Sequence, residues 1–321
     1  MSPTIAPPII DVCTHVFPDP ITHRLPVGAR ETLKTVRRSV RTLFEPLSRH
    51  LHTTQPDLRH LPQGARDALD EIGSVLPLPG LLIESTVFDL LESMQAHSVS
   101  HSLILSHPPT TSNGFVIECM KESPTLHAVV GIEKTEKDPS TELKAWAERG
   151  AVALKLHPVA DHETLSSKIY RDLLNTAADL NIPVIVQARN FQSHLLYGNA
   201  DTWHPLQFGS WFQRYSHIPF IIAHLNLHEP DEALQIIEHY PNVYADTSWQ
   251  PEEVIAEGVR RVGAEKLLFG SGWPFLGNNL KISLDRIQNC LDSQMMNESQ
   301  AKLILSGNAL RVFNLNSHHA T

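Results

Sequence analysis

The sequence of 321 residues has little cysteine, no long hydrophobic run and no excess of positive charge. Its three cysteines are too few and too widely spaced for a disulfide framework, which favours a reducing, cytoplasmic compartment. No apolar run approaches the ~18 residues of a membrane span, and the N-terminus lacks the pattern of a secretory signal. We therefore expect neither a membrane span nor a secretory signal. The formal net charge of −9 argues against a general nucleic-acid binder.

Histidine, in contrast, is abundant, with 19 residues in an otherwise ordinary composition of 41% hydrophobic and 19% charged residues. That composition is typical of folded globular proteins rather than of disordered or fibrous ones. Because imidazole titrates near neutral pH and often binds metals, the histidines first suggest a metal or acid–base site.

Short apolar runs bounded by turn residues alternate with longer amphipathic segments. The apolar runs predict eight strands: Ile9–Cys13, Ser102–Ser106, Ala128–Ile132, Val152–Leu156, Pro183–Gln187, Pro219–Ala223, Val243–Thr247 and Leu267–Gly270. The amphipathic segments predict helices, among them Val87–His97, Ser140–Arg149, Ser166–Leu180, Pro230–Tyr240, Pro251–Val262 and Leu280–Leu291. This alternation predicts an α/β protein, a closed (β/α)8 TIM barrel. An open doubly wound sheet is the alternative, but no glycine-rich phosphate loop follows the first strand.

Residues 18–85 interrupt the alternation, and apolar residues at helical spacing predict two or three inserted helices there. Within 24–66, nine basic residues outnumber three acids; the basic ones are Arg24, Arg30, Lys34, Arg37, Arg38, Arg41, Arg49, Arg59 and Arg66. A basic lid would favour an anionic small-molecule substrate, whereas a solvated face or a homodimer contact is the alternative. We expect one domain over 1–315, including the insertion, followed by a tail at 316–321.

Polar residues follow the predicted strands at the ends where a barrel of this kind carries its chemistry. They are Cys13, His15, His107, Glu133, Lys155, His157, Gln187, Arg189, His224, Asp246, Ser248 and the segment 270–274. A polar group directly after a buried apolar run is costly without a partner, so the set predicts a polar mouth on an apolar barrel.

The order of several motifs resembles a known family. The segment Asp11-Val-Cys-Thr-His15 is similar to the opening D-x-H-x-H of the amidohydrolase superfamily. The likeness continues through ALKLHP at 153–158, IPVIV at 182–186, FIIAHL at 220–225, NVYADTS at 242–248, LFGSGWPF at 268–275 and NALRVF at 308–313. Spanning nearly the whole chain, it points to the amidohydrolase-related branch that includes aminocarboxymuconate-semialdehyde decarboxylase and the resorcylate decarboxylases. The resemblance implies a TIM barrel and an enzyme.

The resemblance also implies a metal site, from which this sequence departs. The family takes two histidines from the first strand, one after the fifth and an aspartate after the eighth. Here Cys13, Gln187 and Gly272 stand at three of those positions, and His15 alone remains. Glycine offers no ligand atom and a neutral amide is a poor zinc ligand, so we expect no metal and no cofactor.

A rebuilt zinc site remains the minority alternative. Cys13 and His15 lie two residues apart on a strand and point the same way. Adding His157 or His224 would complete a Cys-His-His set. Alternatively, Cys13 is a small buried side chain, or a nucleophile with His15 or His224 as its base.

His224 is the main candidate for acid–base chemistry, because it ends an apolar strand and matches the family's acid–base position. A structural histidine bonded to the backbone is the alternative. Lys155 shares one strand face with His157 and would meet a carboxylate or a substrate anion. Asp246 would orient a neighbour or tie down the turn after its strand. The predicted catalytic set therefore consists of His224, Lys155, Asp246 and His15.

The predicted substrate contacts are Cys13, His157, Gln187, Arg189, Trp249 and Trp273. Arg189 could clamp a carboxylate through its planar guanidinium group. For Trp249 and Trp273, a packing role is an equally good interpretation. For His157, the equally good interpretation is an architectural role.

Three functions remain open. The first is a metal-independent hydrolase of a lactone or another activated ester, which is easier to cleave without a Lewis acid than an amide. The second is a nonoxidative decarboxylase, with His224 protonating the carbon. The third is a catalytically inactive barrel used as a scaffold, which the loss of three metal ligands would fit. We favour the hydrolase.

Overall fold

The computed structural model describes residues 8–18, 85–108, 110–133, 138–187, 205–227, 229–274 and 279–315, with scattered positions between 26 and 65. Most of the predicted insertion therefore lies outside the described residues, as do Arg189 and the tail 316–321. Positions 28–29, 31–33, 35–36, 39 and 64–65 of the predicted insertion are helical. Among the described residues, no helix is both long and apolar enough to cross a membrane.

Eight parallel strands pair in the order of the sequence, β1 to β8. They are β1 (Ile10–Thr14), β2 (His101–Leu105), β3 (Leu126–Val130), β4 (Ala151–Leu156), β5 (Val184–Val186), β6 (Phe220–Ile222), β7 (Val243–Asp246) and β8 (Leu267–Leu268). The amide of Val12 donates to Phe269 O at 2.9 Å, and that of Gly272 to Cys13 O at 2.9 Å. These bonds join the last strand to the first, so the predicted (β/α)8 barrel is confirmed.

Helices occupy the crossovers, as parallel pairing requires. They are α1 (Val87–Ala96), α2 (Asn113–Met120), α3 (Pro139–Glu148), α4 (Pro158–Asp161), α5 (Lys168–Leu180), α6 (Gly209–Arg214), α7 (Pro230–His239), α8 (Glu252–Val262), α9 (Asn279–Asp292), α10 (Glu298–Lys302) and α11 (Asn308–Val312). The eight predicted strands and six predicted helices are all present, with ends shifted by one or two residues.

Local signals in the sequence set the ends of these helices. Asp138 accepts a hydrogen bond from the Thr141 amide at 2.9 Å at the start of α3, where Pro139 is the first helical residue. At the other end of α5, Asn181 closes the helix in the left-handed conformation, with φ of 52°.

The strands bury both faces because side chains alternate across each strand. Ile104, Val184 and Phe220 pack outward against the helices. Leu103, Ala153, Ile185 and Ile221 point inward and form a second cluster, into which Val312 and Phe313 pack from α11 and its C-terminal end. Positions 155 and 157 follow Ala153 at the same alternation, so β4 directs Lys155 into the barrel interior.

Asn308, at the start of α11, is fully buried and ties that helix to β8. Its Nδ2 donates to Ala264 O and Leu267 O, each at 2.7 Å.

Asn308→Ala should lower the free energy of unfolding by about 2–4 kcal/mol, because two buried carbonyl groups lose their donor. Urea denaturation measures this loss. The matched control is Asn289→Ala, at an exposed asparagine whose Nδ2 donates to the Glu252 carboxylate, and it should change stability by less than about 0.5 kcal/mol. Equal effects of the two variants would contradict the role of Asn308.

Candidate active site

Seven polar side chains gather at the carboxyl ends of the strands, where parallel pairing brings those ends together. They are His15, His107, Lys155, His157, Gln187, His224 and Asp246, and all are buried except His107, which is half-buried. The predicted polar mouth is thus present at one end of an apolar barrel.

A chain of hydrogen bonds links the ends of β6 and β7. Nδ1 of His224 lies 2.6 Å from Ser248 Oγ, and the Ser248 hydroxyl donates to Oδ1 of Asp246. The Asp246 carboxylate also accepts the backbone amides of His224 and Ser248, each at 3.0 Å. One carboxylate therefore holds both the imidazole and the hydroxyl that orients it.

This chain assigns the tautomer of His224. Ser248 has a single hydroxyl proton, which it donates to Asp246, so its oxygen accepts the proton carried by His224 Nδ1. Nε2 is left with a lone pair. Burial lowers the pKa of His224 from its ordinary 6.5; Asp246 opposes this shift and the charge of Lys155 adds to it. His224 is therefore neutral at neutral pH and presents a basic nitrogen.

The backbone that carries His224 is strained. Residues 224–227 have φ of 55°, 47°, 62° and 53°, and none of them is glycine. The left-handed conformation costs about 1–2 kcal/mol for each such residue. Gln250 holds the turn, since its Nε2 donates to His224 O at 2.7 Å and to Leu227 O at 2.9 Å. Arg286 in turn donates to Gln250 O at 2.8 Å. Strain maintained by such supports is typical of functional sites.

Lys155 enters the site from β4 and is only 5% exposed. Burial lowers its pKa, while Cys13, Asp161 and Asp246 oppose that shift. The positive charge of Lys155 in turn lowers the pKa of four histidines, in each case by less than burial does: His15, His107, His157 and His224.

The other imidazoles of the mouth are also neutral. Burial lowers the pKa of His15 and of His157 well below 6.5, and lowers that of His107 to about 3. The rings of His107 and His157 lie 5.9 Å apart, centroid to centroid. The site thus surrounds Lys155 with uncharged rings.

Cys13 lies within this cluster but is a weak nucleophile. Burial raises the pKa of its thiol well above the ordinary value, with further contributions from Asp246 and Asp11. Its Sγ is 4.0 Å from Nδ1 of His224, a nitrogen already engaged with Ser248. Because the thiolate is the reactive form, the geometry favours a packing or substrate-contact role for Cys13 over covalent catalysis.

The metal positions implied by the family resemblance do not fit a metal here. Gly272, at the position of the family aspartate, has φ of +71°. A Cβ placed on it would lie 2.8 Å from Cε2 of the Trp249 indole and closer still to Nε1. Trp249 therefore occupies the space that a ligand side chain at position 272 would need.

One other group could hold a metal ion. Among the described residues, the ligand atoms of Cys13, His224 and Asp246 lie within 4.8 Å of one another. Nδ1 of His224 would have to leave Ser248 to bind an ion in this group. The group matches neither the family's set nor the predicted Cys-His-His alternative.

The remaining predicted residues take different places. Gln187 is buried at the end of β5. Trp273 is buried in the layer between the barrel and the helices. Its backbone amide donates a hydrogen bond to Ser271 Oγ at 3.0 Å. Arg189 lies outside the described residues, so its carboxylate clamp stays a prediction.

Among the polar residues that follow the predicted strands, His107 and Ser248 had no individual role, and Gln250 and Arg286 were not among them. Ser248 could have been recognised, because it follows Asp246 by two residues. Gln250 and Arg286 carry no local signal, since their partners are backbone carbonyls that the fold alone brings near.

Comparisons with known proteins agree with this geometry. The family profile described as Amidohydrolase matches residues 106–315, more than half of the chain. Comparison with curated proteins gives no match.

Solved structures with the same fold cover most of the chain. A 5-carboxyvanillate decarboxylase from Sphingomonas paucimobilis is 12% identical with a TM-score of 0.62, covering 96% of this chain and 99% of that one. A probable 2-pyrone-4,6-dicarboxylic acid hydrolase from Acinetobacter baumannii, with citric acid bound, is 13% identical with a TM-score of 0.58 and covers 96% and 99%. A dihydroxybenzoic acid decarboxylase from Polaromonas, with manganese and 2-nitroresorcinol, is 17% identical with a TM-score of 0.59 and covers 83% and 95%.

The contact between Gly272 and Trp249 yields a prediction. Gly272→Ala should destabilise the protein by about 2–4 kcal/mol, through backbone strain and overlap with the indole. In a Trp249→Ala background the overlap is gone, so the same substitution should cost only the ~1–2 kcal/mol of strain. Chemical denaturation of the four proteins of this cycle measures the coupling.

Gly114→Ala is the matched control, because its Cβ would meet the Trp146 indole at an ordinary 3.8 Å in a helix. It should be neutral or slightly stabilising. Equal costs of Gly272→Ala with and without Trp249 would show that the indole does not occupy this space.

Proposed function

Because the chain belongs to the amidohydrolase family, we propose that it is a hydrolase that cleaves a small, anionic lactone- or ester-like substrate without a metal. The observation that carries the proposal is the hydrogen-bond chain from Asp246 through Ser248 to His224. This chain leaves His224 Nε2 as an oriented proton acceptor.

In the proposed reaction, His224 removes a proton from water as the water attacks the substrate carbonyl. Asp246 and Ser248 keep the ring oriented and stabilise the imidazolium that forms. Lys155 stabilises the negative charge that develops on the carbonyl oxygen. His224 then returns its proton to the leaving oxygen, which restores the starting state.

The substrate class follows from what the site contains. At the family's metal positions, Cys13, Gln187 and Gly272 offer no ligand set that would activate an amide carbonyl. A strained or activated ester needs less assistance. The charge of Lys155 favours an anionic substrate, and Arg189 with the basic segment 24–66 remains a proposed contribution to the same preference. The citric acid and 2-nitroresorcinol bound to structures of the same fold are compatible with such a ligand.

Decarboxylation is the second candidate, since decarboxylases share this fold. It would require His224 to give a proton to carbon. A buried imidazole with a lowered pKa is mostly unprotonated, which suits a base better than an acid. An inactive scaffold is less well supported, because it would have no use for a buried lysine and a strained turn under His224.

The pH dependence tests the role of His224. A base with a lowered pKa stays unprotonated in weak acid, so the acid limb of kcat/KM should lie below pH 6.5. Lys155→Met removes a positive charge that lowers the pKa of His224, and the limb should move toward higher pH. Stopped assays on dicarboxylate lactones across pH measure both. An acid limb that does not move in Lys155→Met would contradict this coupling.

His224→Ala should reduce kcat by about 10²–10⁴-fold with a much smaller change in KM, because it removes the general base. His217→Ala, at an exposed histidine, is the matched control and should leave both constants unchanged. Wild-type turnover in His224→Ala would remove this residue from the mechanism.

Metal content tests the other half of the proposal. Protein purified without added metal should contain far less than one zinc or manganese ion per chain, and a chelator should not change its turnover. Near-stoichiometric zinc in mass spectrometry would contradict the proposal. If Cys13→Ser then lost that zinc, the ion would belong to the Cys13–His224–Asp246 group.

A further inference from the structure

One buried carboxamide closes the turn that carries His224. Nε2 of Gln250 bridges the carbonyl oxygens of His224 and Leu227, the first and last residues of the turn, and Leu227 donates its own amide to His224 O at 2.8 Å. Because both acceptors are carbonyl oxygens, the nitrogen end of the carboxamide must face them, and its two hydrogens serve one acceptor each. Gln250 is 2% exposed, so bulk water does not replace these bonds.

Arg286 fixes the backbone of Gln250 from helix α9. The arginine is buried, and its Nη1 donates to Gln250 O at 2.8 Å. On the other side of the same residue, the amide of Gln250 donates to Thr247 O at 3.2 Å. A connected set of hydrogen bonds therefore runs from α9 through Gln250 to the backbone of His224. It is separate from the Asp246–Ser248 chain that holds the ring.

The two sets of bonds meet at the α-carbon of His224. Asp246 accepts the amide of His224 on one side, and Gln250 donates to its carbonyl oxygen on the other. With both flanking peptide groups held, the direction of the Cα–Cβ bond is fixed, and so is the approach of the ring to Ser248. The support matters because residues 224–227 keep positive φ values without glycine, a conformation that persists only where neighbours hold it.

We propose that Gln250 and Arg286 are positioning residues for the reaction of His224. Gln250 acts through the backbone of the turn, and Arg286 acts through Gln250. Together they keep His224 Nδ1 at Ser248, so that Nε2 remains an oriented base. The inference rests on the proposed function, in which His224 removes the proton from water. A displacement of about 1 Å in such a group can lower a rate by about 10²-fold.

Asn242 provides a matched comparison at the other end of the barrel. It is buried beside the amino end of β7, and its Nδ2 donates to three backbone carbonyl oxygens, those of Phe212, Tyr215 and Ile218. Among the described residues, no donor reaches Oδ1 of Asn242 or Oε1 of Gln250. Removing either carboxamide therefore leaves buried carbonyl groups without a donor and lowers stability. Only Gln250 contacts the turn of His224.

Kinetics separate positioning from stability. At a temperature where circular dichroism shows each variant folded, Gln250→Ala should lower kcat in the lactone assays by about 10–100-fold, with a much smaller change in KM. Asn242→Ala should keep the wild-type kcat. Arg286→Leu should lower kcat by a smaller factor than Gln250→Ala does. Arg286→Lys should restore most of that loss, because its ammonium can still donate to Gln250 O.

Nuclear magnetic resonance of protein labelled with ring-15N histidine provides a readout that needs no turnover. The His224 signal, assigned by its absence in His224→Ala, should show a protonated Nδ1 and an unprotonated Nε2 in the wild type. In Gln250→Ala both shifts should move toward the average of the two tautomers, because the ring no longer stays at Ser248. Asn242→Ala should keep the wild-type signal. If Gln250→Ala does not fold, Arg286→Leu replaces it in both measurements.

A Gln250→Ala protein whose kcat and His224 signal both match those of Asn242→Ala would overturn the proposal, and so would Arg286→Leu in its place. The hydrolase proposal fails separately, if the wild type hydrolyses no lactone. The His224 signal alone then decides the present inference: a signal that Gln250→Ala leaves unchanged overturns it, and a signal that moves only in Gln250→Ala supports it.

Discussion

The buried carboxylate of Asp246 is the constraint on which the site depends. It lies at the end of β7 and accepts the backbone amide of His224, which follows the neighbouring strand β6. Through Ser248 it also orients the His224 ring. The left-handed turn that follows His224 would relax without such anchors, and Gln250 completes them from the other side. The position of one imidazole therefore rests on bonds from two neighbouring strand ends.

Two of the positions at which the family resemblance implies metal ligands, Cys13 and Gly272, are closely packed against neighbouring side chains in this chain. Gly272 lacks a ligand, and the indole of Trp249 fills the space beside it. Cys13 lies beside His224, with a thiol that burial keeps protonated. A ligand side chain at position 272 would therefore overlap the Trp249 indole.

Much of the fold could be predicted from the sequence, because alternating apolar runs and amphipathic segments reflect local periodicities. Lys155 and His224 were also within reach, since each follows an apolar run at a strand end. Contacts made through space were not: Gln250 supports His224 through backbone carbonyls, and Trp249 meets Gly272 from a separate strand end. No spacing in the sequence encodes such contacts. The histidine count suggested a metal or acid–base site, and His15, His107, His157 and His224 are the histidines that the fold brings to the mouth of the barrel.

Those neutral rings couple folding to acidity. His15, His107, His157 and His224 all have a pKa below 6.5 in the folded chain, so the unfolded chain binds more protons below that pH. Stability is then complete above about pH 6.5 and falls as the pH decreases, by about 1.4 kcal/mol per pH unit for each ring that stays unprotonated. For His107 this loss extends down to about pH 3. The mouth of the barrel thus makes the protein acid-labile, and it sets a lower limit to the acidity in which the fold can persist.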